Sequence, residues 1–151
     1  MAKIAIIPAR GGSKRIPRKN IRNFFGKPIL AYSIENAISS DLFDEIMVST
    51  DDQEIAEVAV RLGAKVPFLR SDKTSNDHAS TAEVLNEVLI SYADMGFNFQ
   101  WGCCIYPLTP LLNPSFFEIS FRKMLDHGRK SIFSVTQYTH PIERAFRLKS
   151  S

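Results

Sequence analysis

The segment AKIAIIPARGGSKRIPRKN, residues 2–20, joins an apolar run to a strongly basic loop. The run AKIAII is short, rich in β-branched side chains and closed by Pro8, which is typical of a strand buried in a parallel sheet. The loop after it holds Gly11, Gly12 and Pro17 among its Arg and Lys residues. The segment therefore predicts a parallel strand that brings a basic, glycine-containing loop to one edge of a sheet.

Positive charge is concentrated at the start of the chain. The residues before Glu35 include 8 Lys and Arg and no acidic residue, whereas the rest of the chain contains 11 basic and 16 acidic residues. The net charge of +3 thus combines a basic segment with a mildly acidic body. This distribution indicates a local anion site, and we expect no nucleic-acid partner. A nucleic-acid-binding domain remains an alternative that rests on the basic loop alone.

Strand and helix patterns alternate along the rest of the chain. Helices are predicted from Pro28, from Asp51 to Gly63, from the capping box at residues 80–83, and from Asn113 to near Gly128. Strands are predicted at EIMVST (45–50), KVPFL (65–69), WGCCIYP (101–107) and SIFSV (131–135), with a polar loop at RSDKTSNDHA (70–79). The alternation predicts an α/β layered fold with a mainly parallel sheet flanked by helices, and 151 residues favour one domain.

Three polar segments follow predicted strands, at the sheet edge where ligands bind in such folds. They are the basic loop, residues 70–79 and the segment YPLTPLL (106–112). Glycine allows close backbone approach and Arg and Lys supply charge, so the basic loop predicts a phosphate cradle. The alternative is a solvated basic loop or a general polyanion patch. Neither G-x-x-x-x-G-K-[ST] nor G-x-G-x-x-G occurs, which argues against a P-loop NTPase or a Rossmann dehydrogenase.

Several other classes of function are disfavoured. No apolar run is long enough to cross a membrane, and the N-terminus lacks a signal-peptide pattern, so a cytoplasmic protein without a membrane partner is predicted. Cys103 and Cys104 are adjacent and are interpreted as small buried core residues. The three histidines form no metal-ligand spacing with them, and we predict no metal ligand in this chain.

Four stretches resemble the acylneuraminate cytidylyltransferase family. They are IPARGGSKRIPRKN (7–20), GKPILAYSIENAISS (26–40), EIMVSTDDQEIAEVA (45–59) and LRSDKTSNDHASTAEVL (69–85). Within the family, CCIYPLTP (103–110) and PIERAF (141–146) resemble pseudaminic acid cytidylyltransferases most. The resemblance implies a Rossmann-like, nucleotide-diphospho-sugar transferase-like fold. It also implies transfer of CMP from CTP to a nonulosonic acid, with release of pyrophosphate.

The resemblance also assigns residues to CTP. Arg10, Lys14 and Lys19 are expected to take part in catalysis, because positive charge there would neutralise the triphosphate and the departing pyrophosphate. Ser80 and Thr81 have a second interpretation as a plain helix cap. The full set expected to contact CTP is Ala9, Arg10, Gly11, Gly12, Ser13, Lys14, Lys19, Asn20, Arg70, Ala79, Ser80 and Thr81.

Tyr106 and Thr109 match a family segment that contacts the acceptor sugar. Where sialic acid enzymes carry Gln and a terminal Arg, this chain has Tyr106 and Leu112, so pseudaminic acid is favoured over N-acetylneuraminic or legionaminic acid. Without the resemblance, Tyr106 would be interpreted as a packing aromatic at a strand end.

Length is the largest departure from the family pattern. Relatives extend past residue 151, so we expect residues 1–151 to be one nucleotidyltransferase domain that is truncated at its C-terminus. The resemblance implies Mg²⁺ as cofactor, with ligands mostly beyond residue 151, and a homodimer for the full-length protein. A catalytically silent module that binds CTP or CMP without the metal site is the alternative function.

Overall fold

A computed structural model describes residues 1–137. The strands are β1 (Lys3–Pro8), β2 (Asn23–Phe24), β3 (Lys27–Pro28), β4 (Glu45–Ser49) and β5 (Trp101–Cys104). The α-helices are α1 (Ile29–Ser39), α2 (Gln53–Arg61), α3 (Asp72–Ser75), α4 (Thr81–Asp94) and α5 (Ser115–Asp126), and a short 3₁₀ helix covers Lys19–Ile21. The chain divides into two compact units, Met1–Ile119 and Ser120–Ser151. A single domain over residues 1–151 therefore stays a prediction.

The first unit contains a three-stranded parallel sheet in the order β4-β1-β5. Successive residues of a strand face opposite sides of the sheet, and β1 is buried on both. Ala5 and Ile7 pack into the cluster that contains Leu30 and Ile34 of α1. Ile4 and Ile6 pack into a second cluster with Val88 of α4 and its neighbours. The layered α/β fold with a mainly parallel sheet is confirmed, because helices cover both faces of this central strand.

Two helix starts form as the sequence predicts. Asp52 caps α2 through a 3.0 Å bond from the Ile55 N–H to its Oδ1. Ser80 and Glu83 form a complete capping box at the start of α4. These caps satisfy N–H groups that have no partner within the helix. Both caps lie beside the same edge of the sheet, so they also fix the position of the polar segments there.

Several sequence predictions of local structure were wrong. KVPFL forms only one parallel bridge, between Met47 and Lys65, because Pro67 has no N–H with which to extend the pairing. The polar loop at 70–79 contains the one-turn helix α3. The hairpin of β2 and β3 was not predicted. Cys103 and Cys104 are half-buried rather than buried.

The second unit is described only as far as residue 137. SIFSV was predicted as a strand, but residues 131–135 pair with no strand among the described residues, and Phe133 is 82% exposed. An apolar run forms a strand only where a neighbouring strand accepts its hydrogen bonds. PIERAF lies outside the described residues. Across residues 1–137, the helices all lack the length and apolar character that a membrane crossing requires.

Candidate functional site

The carboxyl ends of β1, β4 and β5 meet at one edge of the sheet, because all three strands are parallel. A cavity of about 690 Å³ lies there, within the first unit. It is bounded by the basic loop, the 70–79 segment, the start of α4 and the segment after β5. The lining residues are Pro8, Arg10, Ser13, Lys14, Arg15, Ile16, Lys19, Asn20, Arg70, Asp77, Ala79, Thr81, Val84, Tyr106, Pro107 and Leu108.

Most residues assigned to CTP or sugar from the sequence come together in this lining. Nine of them do so, and five do not. The nine are Arg10, Ser13, Lys14, Lys19, Asn20, Arg70, Ala79, Thr81 and Tyr106, and the five are Ala9, Gly11, Gly12, Ser80 and Thr109. The arrangement gathers residues separated by almost 100 positions, but contact of any of them with a ligand stays a prediction.

Two cations of the loop share a carboxylate. Arg10 contacts Asp77 through its Nη2 atom at 2.7 Å, and Lys14 forms an ion pair with the other oxygen of Asp77. Arg10 also donates from Nη1 to the carbonyl oxygen of Asn76 at 3.1 Å. Hydrogen bonds from Lys14 and then Arg10 hold the pKa of Asp77 below its ordinary value. The basic loop and the 70–79 segment are thus joined across the cavity.

Two further cations line the cavity without a partner among residues 1–137. Arg15 is exposed and Lys19 is half-buried, and neither forms an ion pair within the described structure. Cations that no protein carboxylate neutralises attract anionic ligands. Arg15 is a lining residue that the sequence does not assign to a site, because one Arg among several cations of a loop carries no signal of its own.

Arg18 is another cation of the basic loop, but it forms its ion pairs with the start of α2. Its Nη2 donates to Asp52 Oδ1 at 3.0 Å, and it forms ion pairs with Asp52 and Glu54 at the start of α2. The hydrogen bond from Arg18 keeps the pKa of Asp52 below its ordinary value. Arg18 does not line the cavity. It fastens the basic loop to α2, and no sequence signal identified its partner.

The two glycines of the loop have different surroundings. The Gly11 N–H donates to Asp51 Oδ1 at 2.8 Å, and a Cβ at Gly11 would lie 2.6 Å from Asp52 Oδ2. A Cβ at Gly12 would meet nothing within 4 Å. Gly11 is therefore required for the close approach of the loop to α2. Its amide is occupied in this structure, so a phosphate contact by Gly11 stays a prediction.

Asn20 lies at the base of the loop, in the 3₁₀ helix. It is 4% exposed, and its Nδ2 donates to the Arg10 carbonyl oxygen at 2.9 Å. Its buried Oδ1 accepts no hydrogen bond from residues 1–137. An unpaired buried oxygen costs free energy, which a donor on a ligand would recover. Asn20 thus supports the loop on one side and offers an acceptor on the other.

Arg70 forms the wall of the cavity next to β4. Its Nε donates to Ser49 Oγ at 2.9 Å and its Nη2 to the Ser49 carbonyl oxygen at 2.7 Å. Burial lowers the pKa of Arg70 from its ordinary value. Most of the Arg70 N–H groups donate to other protein groups. Arg70 therefore contributes a positive charge at a fixed position, and few of its N–H groups remain for a ligand.

Other predicted residues lie at the start of α4, after β5 and directly after β1. Ser80 uses its hydroxyl in the capping box, which confirms the helix-cap interpretation. Thr81 Oγ1 is 3.3 Å from the Tyr106 hydroxyl across the cavity. Thr109 faces away and its Oγ1 lies 2.9 Å from Ser33 Oγ. Ala9 is fully buried and donates its N–H to the Ser49 carbonyl oxygen.

The cavity also contains residues that sequence reasoning missed. Ile16, Val84, Pro107 and Leu108 supply apolar surface beside the cations. Val84 had a detectable signal, since a residue three positions after Thr81 lies on the same helix face. Apolar surface beside clustered cations suits a ligand that has both a flat ring and phosphates.

The described residues do not provide a metal centre. No group of three or more His, Cys, Asp or Glu in residues 1–137 could hold a metal ion. The nearby carboxylates are engaged: Asp52 with Arg18, and Asp77 with Arg10 and Lys14. Mg²⁺ ligands beyond residue 151 stay a prediction, and we derive no step from the metal.

Comparisons with known proteins agree with this geometry. A pseudaminic acid cytidylyltransferase of Campylobacter jejuni is 45% identical over 151 residues, which is all of this chain and 65% of the relative. A CMP-N,N'-diacetyllegionaminic acid synthase of Legionella pneumophila is 40% identical over 114 residues, covering 76% of this chain and 49% of the relative. The chain thus spans about 65% of the length of its Campylobacter relative.

Solved structures and a family model extend the comparison. The structure of a CMP:2-keto-3-deoxy-manno-octonic acid synthetase complexed with CTP superposes with a TM-score of 0.70 and 26% identity, over 85% of this chain and 49% of that one. The family model described as Cytidylyltransferase matches residues 4–150. With the parallel sheet and the basic cavity at its edge, this match shows that the chain belongs to the cytidylyltransferase family.

Proposed function

We propose that this protein is a cytidylyltransferase that activates a nonulosonic acid with CTP, giving the CMP-sugar and pyrophosphate. The observation that carries the proposal is the cavity at the sheet edge, where Arg10, Lys14, Arg15, Lys19 and Arg70 gather beside apolar surface. A relative 45% identical is a pseudaminic acid cytidylyltransferase, and the structural neighbour with 26% identity is complexed with CTP. A cation-rich pocket of this size suits a nucleoside triphosphate.

In this proposal the chain works mainly by positioning and electrostatics. The oxygen of the sugar's anomeric hydroxyl forms a bond to the α-phosphorus of CTP, the bond from that phosphorus to the oxygen bridging it to the β-phosphate breaks, and the hydroxyl proton leaves to solvent as pyrophosphate is released. Fixed cations stabilise the negative charge that collects on the departing pyrophosphate, and they need no rearrangement at that moment. Arg10, Lys14 and Lys19 are the residues that we assign to this role.

The segment after β5 supports a proposal for the acceptor. Tyr106 is 59% exposed at the cavity and its hydroxyl lies near Thr81, which supports our proposal that Tyr106 contacts the acceptor beside the nucleotide. We propose pseudaminic acid as the preferred acceptor, in line with the Campylobacter relative. Legionaminic and N-acetylneuraminic acids are the competing acceptors. A requirement for Mg²⁺, a homodimer and a cytoplasmic location belong to the same proposal.

The test is an assay of pyrophosphate release with CTP and each of the three sugars in turn. We expect release with CTP and pseudaminic acid, little with UTP or ATP, and none after EDTA is added. A preference for N-acetylneuraminic acid would contradict the choice of acceptor. Equal turnover with UTP and ATP would contradict the choice of nucleotide.

A parallel titration of CTP and CMP tests the silent binding module as the alternative. Binding of both nucleotides by the 151-residue chain together with pyrophosphate release would exclude the module, whereas binding without release would support the module or an enzyme whose metal ligands lie beyond residue 151. If CTP does not bind at all, both functions are wrong.

A further inference from the structure

Asp77 is the one acidic residue among the residues that line the cavity. It faces Arg10, which it contacts at 2.7 Å, and Lys14. These are two of the three cations that the proposed function assigns to the triphosphate. A carboxylate therefore lies where a phosphate oxygen would have to bind.

The position of Asp77 is built by its neighbours. Asn76 Oδ1 accepts the N–H groups of His78 at 2.8 Å and of Ala79 at 3.0 Å, so it bridges over Asp77. The Asn76 carbonyl oxygen accepts a hydrogen bond from Arg10. Asp77 is thus held at a tight turn that directs its carboxylate toward the two cations.

Asp77 and a bound polyphosphate would compete for the same two cations, Arg10 and Lys14. Asp77 carries one negative charge and its side chain is 34% exposed, so its pairs with Arg10 and Lys14 are only moderately strong. A triphosphate brings several charges and many acceptor oxygens to the same cations. A polyphosphate can therefore replace the carboxylate, whereas a small anion with one charge gains little from the exchange.

We propose that Asp77 is a specificity-determining residue that pairs with Arg10 and Lys14 where a phosphate would bind, and that a polyphosphate must displace it from these two cations. The inference rests on the proposed function for the identity of the nucleotide, but the competition itself needs only a polyphosphate. Asp77 opposes occupation by weak anions and keeps the two cations together until a nucleotide arrives.

The experiment is a calorimetric titration of the 151-residue protein with inorganic tripolyphosphate in EDTA, repeated with CTP. Asp77→Asn should bind tripolyphosphate about three- to ten-fold more tightly than the unchanged protein, because two partly exposed ion pairs no longer compete. Asp72→Asn is the matched control, since Asp72 belongs to the same segment but does not line the cavity. It should leave the affinity unchanged.

The same substitution in the Lys14→Gln variant distinguishes displacement of Asp77 from simple repulsion between Asp77 and the ligand. In Lys14→Gln one partner of Asp77 is already gone, so adding Asp77→Asn should give less than half the gain seen with Lys14 present. Simple repulsion between Asp77 and the ligand would give the same gain on both backgrounds. Circular dichroism checks that each variant is folded, and Asp77→Ser serves as a second substitution.

Each outcome decides the question. Tighter binding that is specific to Asp77 variants and depends on Lys14 supports displacement. Unchanged or weaker binding by both Asp77 variants overturns it, and so does an equal gain in Asp72→Asn. Because tripolyphosphate carries no base, failure of the protein to prefer CTP over UTP would reject the proposed function while leaving this result intact.

Discussion

The two sides of the basic loop use the same residue types for different purposes. On the cavity side, Arg15 and Lys19 have no carboxylate partner in residues 1–137, and Arg10 and Lys14 share Asp77. On the α2 side, Arg18 is neutralised by Asp52 and Glu54. The difference teaches that the number of charges in a loop overestimates the charge available to a ligand. The charge available to a ligand depends on which element each side chain faces.

The largest expected effect comes from a substitution at Gly11, where the backbone of the loop lies against the start of α2. Gly11→Ala places a Cβ 2.8 Å from the Asp52 Cβ, so either the loop or the start of α2 has to move. We expect a loss of about 1–3 kcal/mol in the free energy of unfolding and a Tm lower by about 3 °C for each kcal/mol. CTP binding should fall as well, because the cations on the cavity side depend on this contact.

The matched control is Gly12→Ala, whose Cβ meets open space. It should change stability by less than about 0.5 kcal/mol. Thermal unfolding of both variants measures the difference. Equal destabilisation would mean that the loop tolerates no side chain at either glycine, and the assigned contact with Asp52 would not be the cause.

The next effect separates two adjacent cations. Lys19→Ala should weaken CTP binding by about ten-fold or more, because it removes a charge that faces the cavity, with little change in Tm. Arg18→Ala should instead lower stability by about 0.5–1 kcal/mol and weaken CTP binding less. Calorimetric titration measures the CTP affinity of each variant, and thermal unfolding measures its Tm. The reverse pattern, with binding lost at Arg18 and stability lost at Lys19, would refute the comparison.

On both sides of the loop, the sequence predicts the local elements better than the partners of the cations. The strand AKIAII, the caps at Asp52 and Ser80, and the position of the basic loop follow from local patterns, and local patterns are what periodicity and capping describe. The partner of Arg18 lies 34 positions away in sequence at Asp52, and that of Arg10 at Asp77. Such pairs depend on how β1 and β4 are placed side by side, which no local pattern encodes.

The pH dependence of stability tests the α2 side again, with a smaller effect. The pKa of Asp52 is below its ordinary value of 3.8, chiefly because of the hydrogen bond from Arg18. A lowered carboxyl pKa gives stability that is present above the ordinary value and is lost as the pH falls through the lower, folded value. Asp52→Asn keeps the helix cap but removes this contribution.

Urea unfolding of the unchanged protein and Asp52→Asn at about pH 7, 5 and 2 measures this contribution. We expect the unchanged protein to be more stable by about 0.5–1 kcal/mol at the two higher pH values, and the difference to shrink at the lowest. Arg18→Ala should show the same convergence. A difference that stays constant over the whole range would show that ionisation of Asp52 is not involved.

The smallest expected effect tests the cavity side at its most exposed cation. Arg15 lines the cavity, is exposed and has no ion-pair partner in residues 1–137, so Arg15→Gln should leave the Tm unchanged. CTP affinity should fall by about two- to three-fold at low salt and less at about 0.15 M salt, where charges farther than about 8 Å apart are screened. Arg22→Gln is the matched control, because Arg22 is an exposed cation of the same segment outside the cavity lining. An equal loss of affinity in both variants would mean that CTP senses the overall charge of the segment, and the distinction between its two sides would then not extend to binding.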